Sequence, residues 1–257
     1  MDYSIENTLA GYACEQISVG CSTASVYRYT KGAETLYLKT QKDGEEIRRE
    51  YGVLRWLSGK IPVPSVRFWG ERDGLRYLLT TEVPGHMACN CPEDTLREPH
   101  ENTVKLLAEG ILTLQAVDIS DCPLVYALGS RLKSALYNIE HNLIDMPDFE
   151  YRNPDKTPRE LYEYLLQNQP PEELCFCHGD FCLPNVFIDS ERVTGYIDMG
   201  RGGVSDKWFD IALCVRSLRY NSRHTSAEEY VNLLFEHLNL TPNWDKINYY
   251  NLLDELF

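Results

Sequence analysis

The amino-acid sequence predicts a two-lobed α+β fold, with a small lobe built on an antiparallel sheet and a larger, mainly helical lobe. The first 83 residues read as strand hairpins around one helix, whereas helical patterns dominate the rest of the chain. The sequence pattern changes from strand-like to helical after Pro84 and Gly85, two residues typical of turns and linkers. The predicted lobes are therefore residues 1–83 and residues 84–257.

The small lobe is predicted to contain two hairpins and an amphipathic helix. Residues 25–30 and 35–40, SVYRYT and TLYLKT, are β-branched and aromatic runs separated by the turn KGAE. Residues 43–60 place apolar side chains at helical spacing, with acids in the first turn and a glycine near the end. Residues 66–83 form a second hairpin that turns at Asp73 and its neighbours.

The large lobe is predicted to be helical at both ends. Residues 100–117 and 131–145 show helical periodicity, and the tail from Trp208 is helical again through INYYNLLDELF. Between them, residues 174–180 and 185–200 contain short apolar runs separated by turn formers, which predicts a strand followed by a hairpin.

The charge of the chain is uneven and excludes some partners. The 257 residues carry 25 Lys and Arg against 39 Asp and Glu, a formal net charge of -14. Residues 1–83 hold 11 basic and 11 acidic residues, so the remaining 14 basic and 28 acidic residues place the whole excess in residues 84–257. An acidic surface repels phosphate backbones and anionic membranes, and no apolar run is long enough to span a membrane. We therefore expect no nucleic-acid or membrane partner.

The nine cysteines favour a reducing compartment. Their number is odd and the first residues lack the pattern of an export signal, so we expect reduced thiols and a cytoplasmic location. Cys175 and Cys177 alternate along a predicted strand, where two small apolar side chains on one face are a simpler interpretation than zinc ligands.

Lys39 and Glu50 form the first pattern with a chemical meaning. Lys39 ends an apolar strand, and Glu50 follows eleven residues later on the predicted helix. A lysine there normally reaches solvent and a helical glutamate normally lies on a solvated face. As a pair, however, they resemble the ion pair that grips nucleotide phosphates in protein kinases.

Asp180, Asn185 and Asp198 form the second pattern. Phosphoryl transfer needs a carboxylate that orients the acceptor hydroxyl and oxygen ligands that hold Mg²⁺ across the phosphates. Asp180 in HGD offers the carboxylate, Asn185 follows at the interval of the kinase catalytic loop, and Asp198 in YIDMG stands where kinases place a metal-binding aspartate. Each residue alone is typical of a turn, but the ordered set predicts a phosphotransferase.

The motifs HGDFCLPN, YIDMGRGGVSDKWFDIALCVRSLR and YYNLLDELF resemble those of the aminoglycoside 3'-phosphotransferases, which have a protein-kinase-like fold. The likeness extends through LYLKT, IRREYGVLRWLSGKIPVP and LLTTEVPG, so it covers nearly the whole chain. The resemblance implies ATP as phosphoryl donor, Mg²⁺ as cofactor and a small polycationic aminoglycoside as acceptor.

The resemblance implies that Lys39 holds the α- and β-phosphates of ATP and that Glu50 fixes its ammonium group. Ser22 would lie in the loop over the phosphates, a loop that has Gly20 as its only glycine where protein kinases have several. Tyr37 would stack on the adenine, and backbone groups of Thr81 and Val83 would bind the edge of the base.

In the large lobe, the resemblance implies that Asp180 is the catalytic base or the group that orients the acceptor hydroxyl. Asn185 and Asp198 would bind Mg²⁺. His178 and Asp210 are better interpreted as scaffold for the catalytic loop, through hydrogen bonds within the lobe.

The acceptor site implied by the resemblance consists of Glu150, Glu255, Phe257 with its carboxylate, and Arg201. A carboxylate-lined pocket attracts the ammonium groups of an aminoglycoside, although a solvated helix acid remains an alternative for Glu150 and Glu255. The segment from Tyr220 to Thr225 departs from the family pattern, because it is basic where relatives have an acidic pair. Glu228 and Glu229 would either replace those carboxylates or begin the next helix.

The sequence therefore predicts ATP-dependent phosphorylation of an aminoglycoside, at the 3'-hydroxyl, with antibiotic resistance as the consequence. A kinase for another small hydroxylated cation and a nucleotide-binding module without catalysis remain alternatives. Against the last, all five residues of the phosphoryl-transfer pattern are present. We expect a monomer or a weak dimer.

Overall fold

The computed structural model describes residues 5–17, 24–42, 44–89, 99–222 and 227–257. Gly20, Ser22 and residues 223–225, which the sequence analysis singled out, lie outside these ranges. The first part of the chain forms an antiparallel five-stranded sheet with strand order β1-β2-β3-β5-β4. Its elements are α1 (Ile5–Thr8), β1 (Ala13–Ile17), β2 (Ser25–Lys31), β3 (Glu34–Lys42), α2 (Glu45–Leu57), β4 (Val66–Arg72) and β5 (Leu75–Thr81).

The central strand β3 separates two environments because its side chains alternate between the faces of the sheet. Leu36 and Leu38 point to one face, where they are buried with Leu79. Tyr37 and Lys39 point to the other face, the one that helix α2 covers. The sheet therefore presents one polar and one aromatic side chain of β3 to the space between the lobes.

The second part of the chain is mainly helical, as predicted. Its elements are β6 (His86–Met87), α3 (Glu101–Gln115), α4 (Leu128–Glu140), α5 (Met146–Arg152), α6 (Pro158–Gln167), β7 (Leu174–Cys177), β8 (Val186–Ile188), β9 (Val193–Tyr196), β10 (Gly203–Asp206), α7 (Trp208–Asn221), α8 (Ala227–Leu238) and α9 (Trp244–Asp254), with two short 3-10 helices at Leu183–Asn185 and Met199–Arg201. Among the residues that the structure describes, no helix is long and apolar enough to cross a membrane.

The hairpins lie where the sequence predicts them, but one helix is displaced. The turn between β4 and β5 contains Asp73 and Gly74, both with positive φ, as a tight hairpin turn requires. Helix α4 occupies Leu128–Glu140 instead of the predicted residues 131–145. It ends early because Asn142 adopts a left-handed conformation, and Asp145 then caps the start of α5.

Strand β10 and helix α6 are among the elements of the large lobe that were not predicted. Strand β10 pairs antiparallel with β7, a contact between segments too far apart in sequence for a hairpin signal. Helix α6 has a capping box in which Thr157 and Glu160 bond each other's backbone amides. Cys175 and Cys177 share one side of β7, with their sulphur atoms 3.7 Å apart.

Candidate active site

Lys39 joins the two lobes through ion pairs. Its Nζ lies 2.8 Å from Glu50 Oε2 on α2 and 2.5 Å from Asp198 Oδ1, which follows β9 in the large lobe. Burial alone would lower the pKa of Lys39, but the two carboxylates raise it above its ordinary value. The predicted pair of Lys39 and Glu50 is thus formed, and the same ammonium group reaches the predicted metal ligand.

Asp198 adopts a left-handed backbone conformation, with φ 60° and ψ 47°. Few residues other than glycine and the short Asx side chains tolerate this region. Burial would raise the pKa of Asp198, but the nearby Lys39 ammonium lowers it below the ordinary value. The ion pair with Lys39 therefore favours the ionised carboxylate in the lining of the space between the lobes.

Asn185 and Asp180 are in direct contact. Asn185 Nδ2 donates to Asp180 Oδ2 at 2.8 Å and to the Asp180 carbonyl at 3.0 Å. Both bonds use the amide nitrogen, so the Asn185 amide oxygen remains available as a ligand and Asp180 Oδ1 remains available to an acceptor hydroxyl. The interval of five residues therefore folds the catalytic loop as the kinase pattern predicts.

His178 and Asp210 act as scaffold, as the sequence analysis proposed. Asp210 is buried and accepts hydrogen bonds from the amides of His178 and Gly179 at 2.6 and 2.9 Å. The His178 ring accepts from the Asp180 amide at Nδ1, and its Nε2 lies 2.9 Å from the Ile197 carbonyl. Since Nδ1 accepts, Nε2 donates to the Ile197 carbonyl, and the ring links the catalytic loop to the residue before Asp198.

Gly179 is required at its position for steric reasons. Its φ is +84°, and an added Cβ would lie 2.0 Å from the Arg201 carbonyl oxygen. A side chain there would push the catalytic loop away from the segment that follows Asp198. The glycine thus permits the close approach that brings Asp180 and Asp198 to one site.

A cavity of about 300 Å³ lies between the sheet and the large lobe, and Tyr37, Lys39, Glu50, Asn185 and Asp198 all contribute to its lining. Its apolar part is formed by Val26, Leu78, Met87, Phe187 and Ile197, among others. An apolar slot with ionic groups at one end matches the shape and polarity of a nucleotide.

The edge of this cavity has backbone groups suited to a purine. The Thr81 amide donates to the Ser65 carbonyl, and the Ser65 amide donates to the Thr81 hydroxyl rather than to the Thr81 carbonyl. Within the described residues, no backbone carbonyl accepts a hydrogen bond from the Val83 amide. Backbone groups of Thr81 and Val83, the two residues that the resemblance implies for the base, thus lie at this edge of the cavity.

The oxygen donors of Asn185 and Asp198 fit Mg²⁺. The ion prefers oxygen ligands and usually takes one or two from the protein, with waters and phosphate oxygens completing its shell. One carboxylate and one amide oxygen, both lining the cavity beside Lys39, meet that need. In the described part of the chain, no group of three or more His, Cys, Asp or Glu side chains could hold a metal by itself.

The predicted acceptor site contains more arginine than the sequence analysis expected. Asp254 is buried between Arg201 and Arg216, which both bond its carboxylate. Burial would raise the pKa of Asp254, but the two guanidinium groups lower it to about 2. Glu255 Oε1 lies 3.3 Å from Arg152 Nη1 and 3.5 Å from Arg216 Nη1. Three arginines therefore surround two carboxylates.

The other predicted acceptor residues are distributed around this cluster. The Arg201 guanidinium lies 4.8 Å from the centroid of the Phe257 ring, and its backbone touches the catalytic loop at Gly179. Glu150 is exposed on α5. The structure thus brings Arg201, Glu255 and Phe257 together near Asp180, while Glu150 lies on the surface of the neighbouring helix.

Glu228 begins a helix and does not replace the expected acidic pair as a free carboxylate. It lies in the first turn of α8 and accepts from Arg219 Nε at 2.7 Å and from Nη2 at 3.1 Å. Arg152, Arg216 and Asp254 were missed as site residues. Arg216 and Asp254 lie within two of the motifs given above, but nothing in the spacing of those motifs predicts that the two side chains pair.

The fold and the site define a kinase-like phosphotransferase. A lysine–glutamate pair, a catalytic-loop aspartate bonded to an asparagine and a further aspartate meet beside a nucleotide-sized cavity, which is the constellation that phosphoryl transfer requires. The chain belongs to the phosphotransferase enzyme family, whose model matches residues 13–250.

Curated relatives share nearly the full length of the chain. An aminoglycoside 3'-phosphotransferase of Enterococcus faecalis is 40% identical over 260 residues, which cover 98% of this chain and 97% of the relative. One of Staphylococcus aureus is 39% identical with the same coverage. The resemblance drawn from the motifs is thereby confirmed.

Solved structures agree with the predicted fold class. A crystal structure of an aminoglycoside 3'-phosphotransferase of type VIII superimposes with a TM-score of 0.81 and 30% identity, covering 95% of this chain and 94% of that one. An aminoglycoside phosphotransferase of Streptomyces rimosus, in complex with ADP and streptomycin, superimposes with a TM-score of 0.80 and 25% identity, covering 96% and 92%.

Proposed function

We propose that this enzyme transfers the γ-phosphoryl group of ATP to the 3'-hydroxyl of an aminoglycoside antibiotic and thereby confers resistance. The observation that carries the proposal is the junction of Lys39 with Glu50 and Asp198, directly beside the bonded pair of Asp180 and Asn185. Full-length relatives at about 40% identity named for this reaction support the choice of acceptor.

In the proposed mechanism, the protein positions its substrates and stabilises charge. Lys39 holds the α- and β-phosphates, and Glu50 keeps its ammonium in place. Asp180 Oδ1 accepts a hydrogen bond from the acceptor hydroxyl and holds its oxygen in line with the γ-phosphorus. Asn185 and Asp198 would hold Mg²⁺, which supplies neutralisation of the phosphate charge. Tyr37, Thr81 and Val83 would bind the base.

We assign the lobes to residues 1–83 and 84–257. This division is supported by the end of β5 at Thr81 and the start of β6 at His86, in the other lobe's sheet. We further propose that the enzyme is cytoplasmic, where ATP is present and thiols stay reduced. We also propose that it acts as a monomer or weak dimer, without nucleic-acid or membrane partners, in keeping with its net charge of -14.

The test is phosphate transfer by the purified enzyme with ATP and Mg²⁺. Kanamycin should be phosphorylated, an aminoglycoside that lacks the 3'-hydroxyl should not, and phosphorus NMR of the product should place the phosphate on the 3'-oxygen. Asp180→Asn should lower kcat at least about a hundredfold with little change in ATP affinity. Asp155→Asn, at an exposed acid of the same lobe, is the control. Absence of transfer to every aminoglycoside would refute the proposal.

A further inference from the structure

Arg152 occupies one of the carboxylates that the proposed acceptor site offers to an ammonium group. It is the last residue of α5, and its Nη1 lies 3.3 Å from Glu255 Oε1. The Glu255 side chain is only 11% exposed, whereas that of Arg152 is 40% exposed. A largely protected carboxylate is thus paired with a much more exposed guanidinium group.

The three arginines of the cluster are not equivalent. Arg201 and Arg216 both bond the buried Asp254 and have more protected side chains, with 19% and 31% exposed. Arg152 touches only Glu255 within this cluster. Arg201 and Arg216 therefore neutralise Asp254 permanently, while Arg152 is the cation that can leave.

A second partner for Arg152 is already in place. Its Nε lies 3.1 Å from Asp148 Oδ2, four residues earlier on the same helix. When an incoming cation displaces the guanidinium from Glu255, Arg152 keeps an ion pair and its helical position. The exchange therefore removes one ion pair of Arg152 and leaves the other in place.

We propose that Arg152 is a displaceable counter-ion that sets the affinity and selectivity of the acceptor site. It occupies Glu255 in the free enzyme, and an acceptor must place an ammonium group on Glu255 to displace it. Acceptors with an amine that reaches Glu255 gain from the exchange, whereas those without one leave the arginine in place. This inference rests on the proposed function, because it concerns how the proposed acceptor site selects among cationic acceptors.

The test compares acceptor KM and kcat for the wild type, Arg152→Gln and Arg159→Gln. Both variants lose one positive charge from the large lobe, but Arg159 pairs with Glu140 instead of Glu255. Arg152→Gln should lower the KM for kanamycin about two- to fivefold, with kcat and the KM for ATP unchanged. Arg159→Gln should leave all three constants at their wild-type values. Equal effects of the two variants, or an unchanged or raised KM in Arg152→Gln, would overturn the proposal.

A double-mutant cycle with Glu255→Gln separates a local exchange from general electrostatics. If Arg152 acts through Glu255, then Arg152→Gln should have no further effect on KM in the Glu255→Gln enzyme. A persistent two- to fivefold effect there would contradict the mechanism. Calorimetric titration with kanamycin gives the same comparison without turnover. Tighter binding by Arg152→Gln in an enzyme that transfers no phosphate would refute the proposed function and support this inference, whereas no binding at all would refute both.

Discussion

The guanidinium carbon of Arg49 lies 3.7 Å from the centroid of the Tyr126 ring. Arg131, which is fully buried, contacts the same ring from 4.3 Å and the Phe209 ring from 3.6 Å. These contacts run from helix α2, where Arg49 precedes Glu50, to helix α7, where Phe209 precedes Asp210. Alternating cations and rings therefore link the helix that carries Glu50 to the helix that carries Asp210.

We expect Tyr126→Leu to destabilise the protein by about 2–4 kcal/mol. The substitution removes the ring that both guanidinium groups contact and leaves a gap in the interior. Tyr126→Phe keeps the ring and should cost less than about 1 kcal/mol. Urea unfolding at neutral pH gives both values. Tyr137→Leu, which removes a half-exposed tyrosine of α4, is the control. Similar losses in Tyr126→Leu and Tyr137→Leu would show that the linked contacts contribute little.

Lys39→Met should impair use of ATP more than use of the acceptor. The variant loses the ammonium that contacts Glu50 and Asp198, and with it the proposed phosphate contact. We expect kcat/KM for ATP to fall by about a hundredfold, as measured by steady-state kinetics at saturating acceptor. Lys42→Met changes an exposed lysine at the end of the same strand and should match the wild type. A selective rise in acceptor KM in Lys39→Met would be inconsistent with this role.

Gly179→Ala should disable catalysis even though it adds only a methyl group. The Cβ would lie 2.0 Å from the Arg201 carbonyl, at a φ of +84°, so the loop that carries Asp180 must move. We expect a loss of about 1–3 kcal/mol in stability and a large loss of kcat. Gly129→Ala meets nothing within 4 Å and should be neutral or slightly stabilising. Wild-type kcat in Gly179→Ala would show that the close approach is dispensable.

The free energy of unfolding should depend on pH in a way that shows the contribution of the buried Asp254 carboxylate. Its pKa is lowered from 3.8 to about 2 in the folded protein, so ionised Asp254 stabilises the fold at pH values above its ordinary pKa. That stabilisation, about 2 kcal/mol, is lost as the pH falls toward 2, with roughly half gone by pH 3.

Asp254→Asn isolates this contribution. Near pH 7 the variant should be less stable than the wild type by about 3–5 kcal/mol, because it removes the carboxylate that Arg201 and Arg216 share. The difference should shrink by about 1 kcal/mol at pH 3, measured by urea unfolding across the pH range. For the control Asp155→Asn, the difference in unfolding free energy from the wild type should be the same at pH 7 and pH 3. A difference that stays constant from pH 7 to 3 would mean that Asp254 titrates normally.

Local patterns named residues that the structure brings together beside the cavity. The sequence named Lys39 and Glu50 as an ion pair, and the structure places Lys39 Nζ 2.8 Å from Glu50 Oε2. It also named Asp180 and Asn185 at the interval of the kinase catalytic loop, and in the structure their side chains bond at 2.8 Å. Each of these relationships depends on neighbours in the sequence or on one regular element, so periodicity and spacing suffice to find it.

The acceptor site was predicted less well because its contacts are non-local. Arg152 and Glu255 are 103 residues apart, and no periodicity links α5 with the end of α9. The acidic balance of the large lobe predicted a negative pocket, yet arginines bond both Asp254 and Glu255. A net charge sums over the surface and does not reveal which carboxylates are already paired. The pairing of β7 with β10 was missed because these strands, too, are far apart in the sequence.

The left-handed conformation of Asp198 places two independent demands on one position in the chain. The backbone there accepts aspartate, asparagine or glycine at little cost, while the ion pair with Lys39 accepts only a carboxylate, as in aspartate or glutamate. Aspartate alone satisfies both. If every codon at this position were sampled and the library grown under antibiotic selection, we would expect the survivors to return to a single amino acid, whereas a ligand on ordinary helical or extended backbone would tolerate glutamate as well.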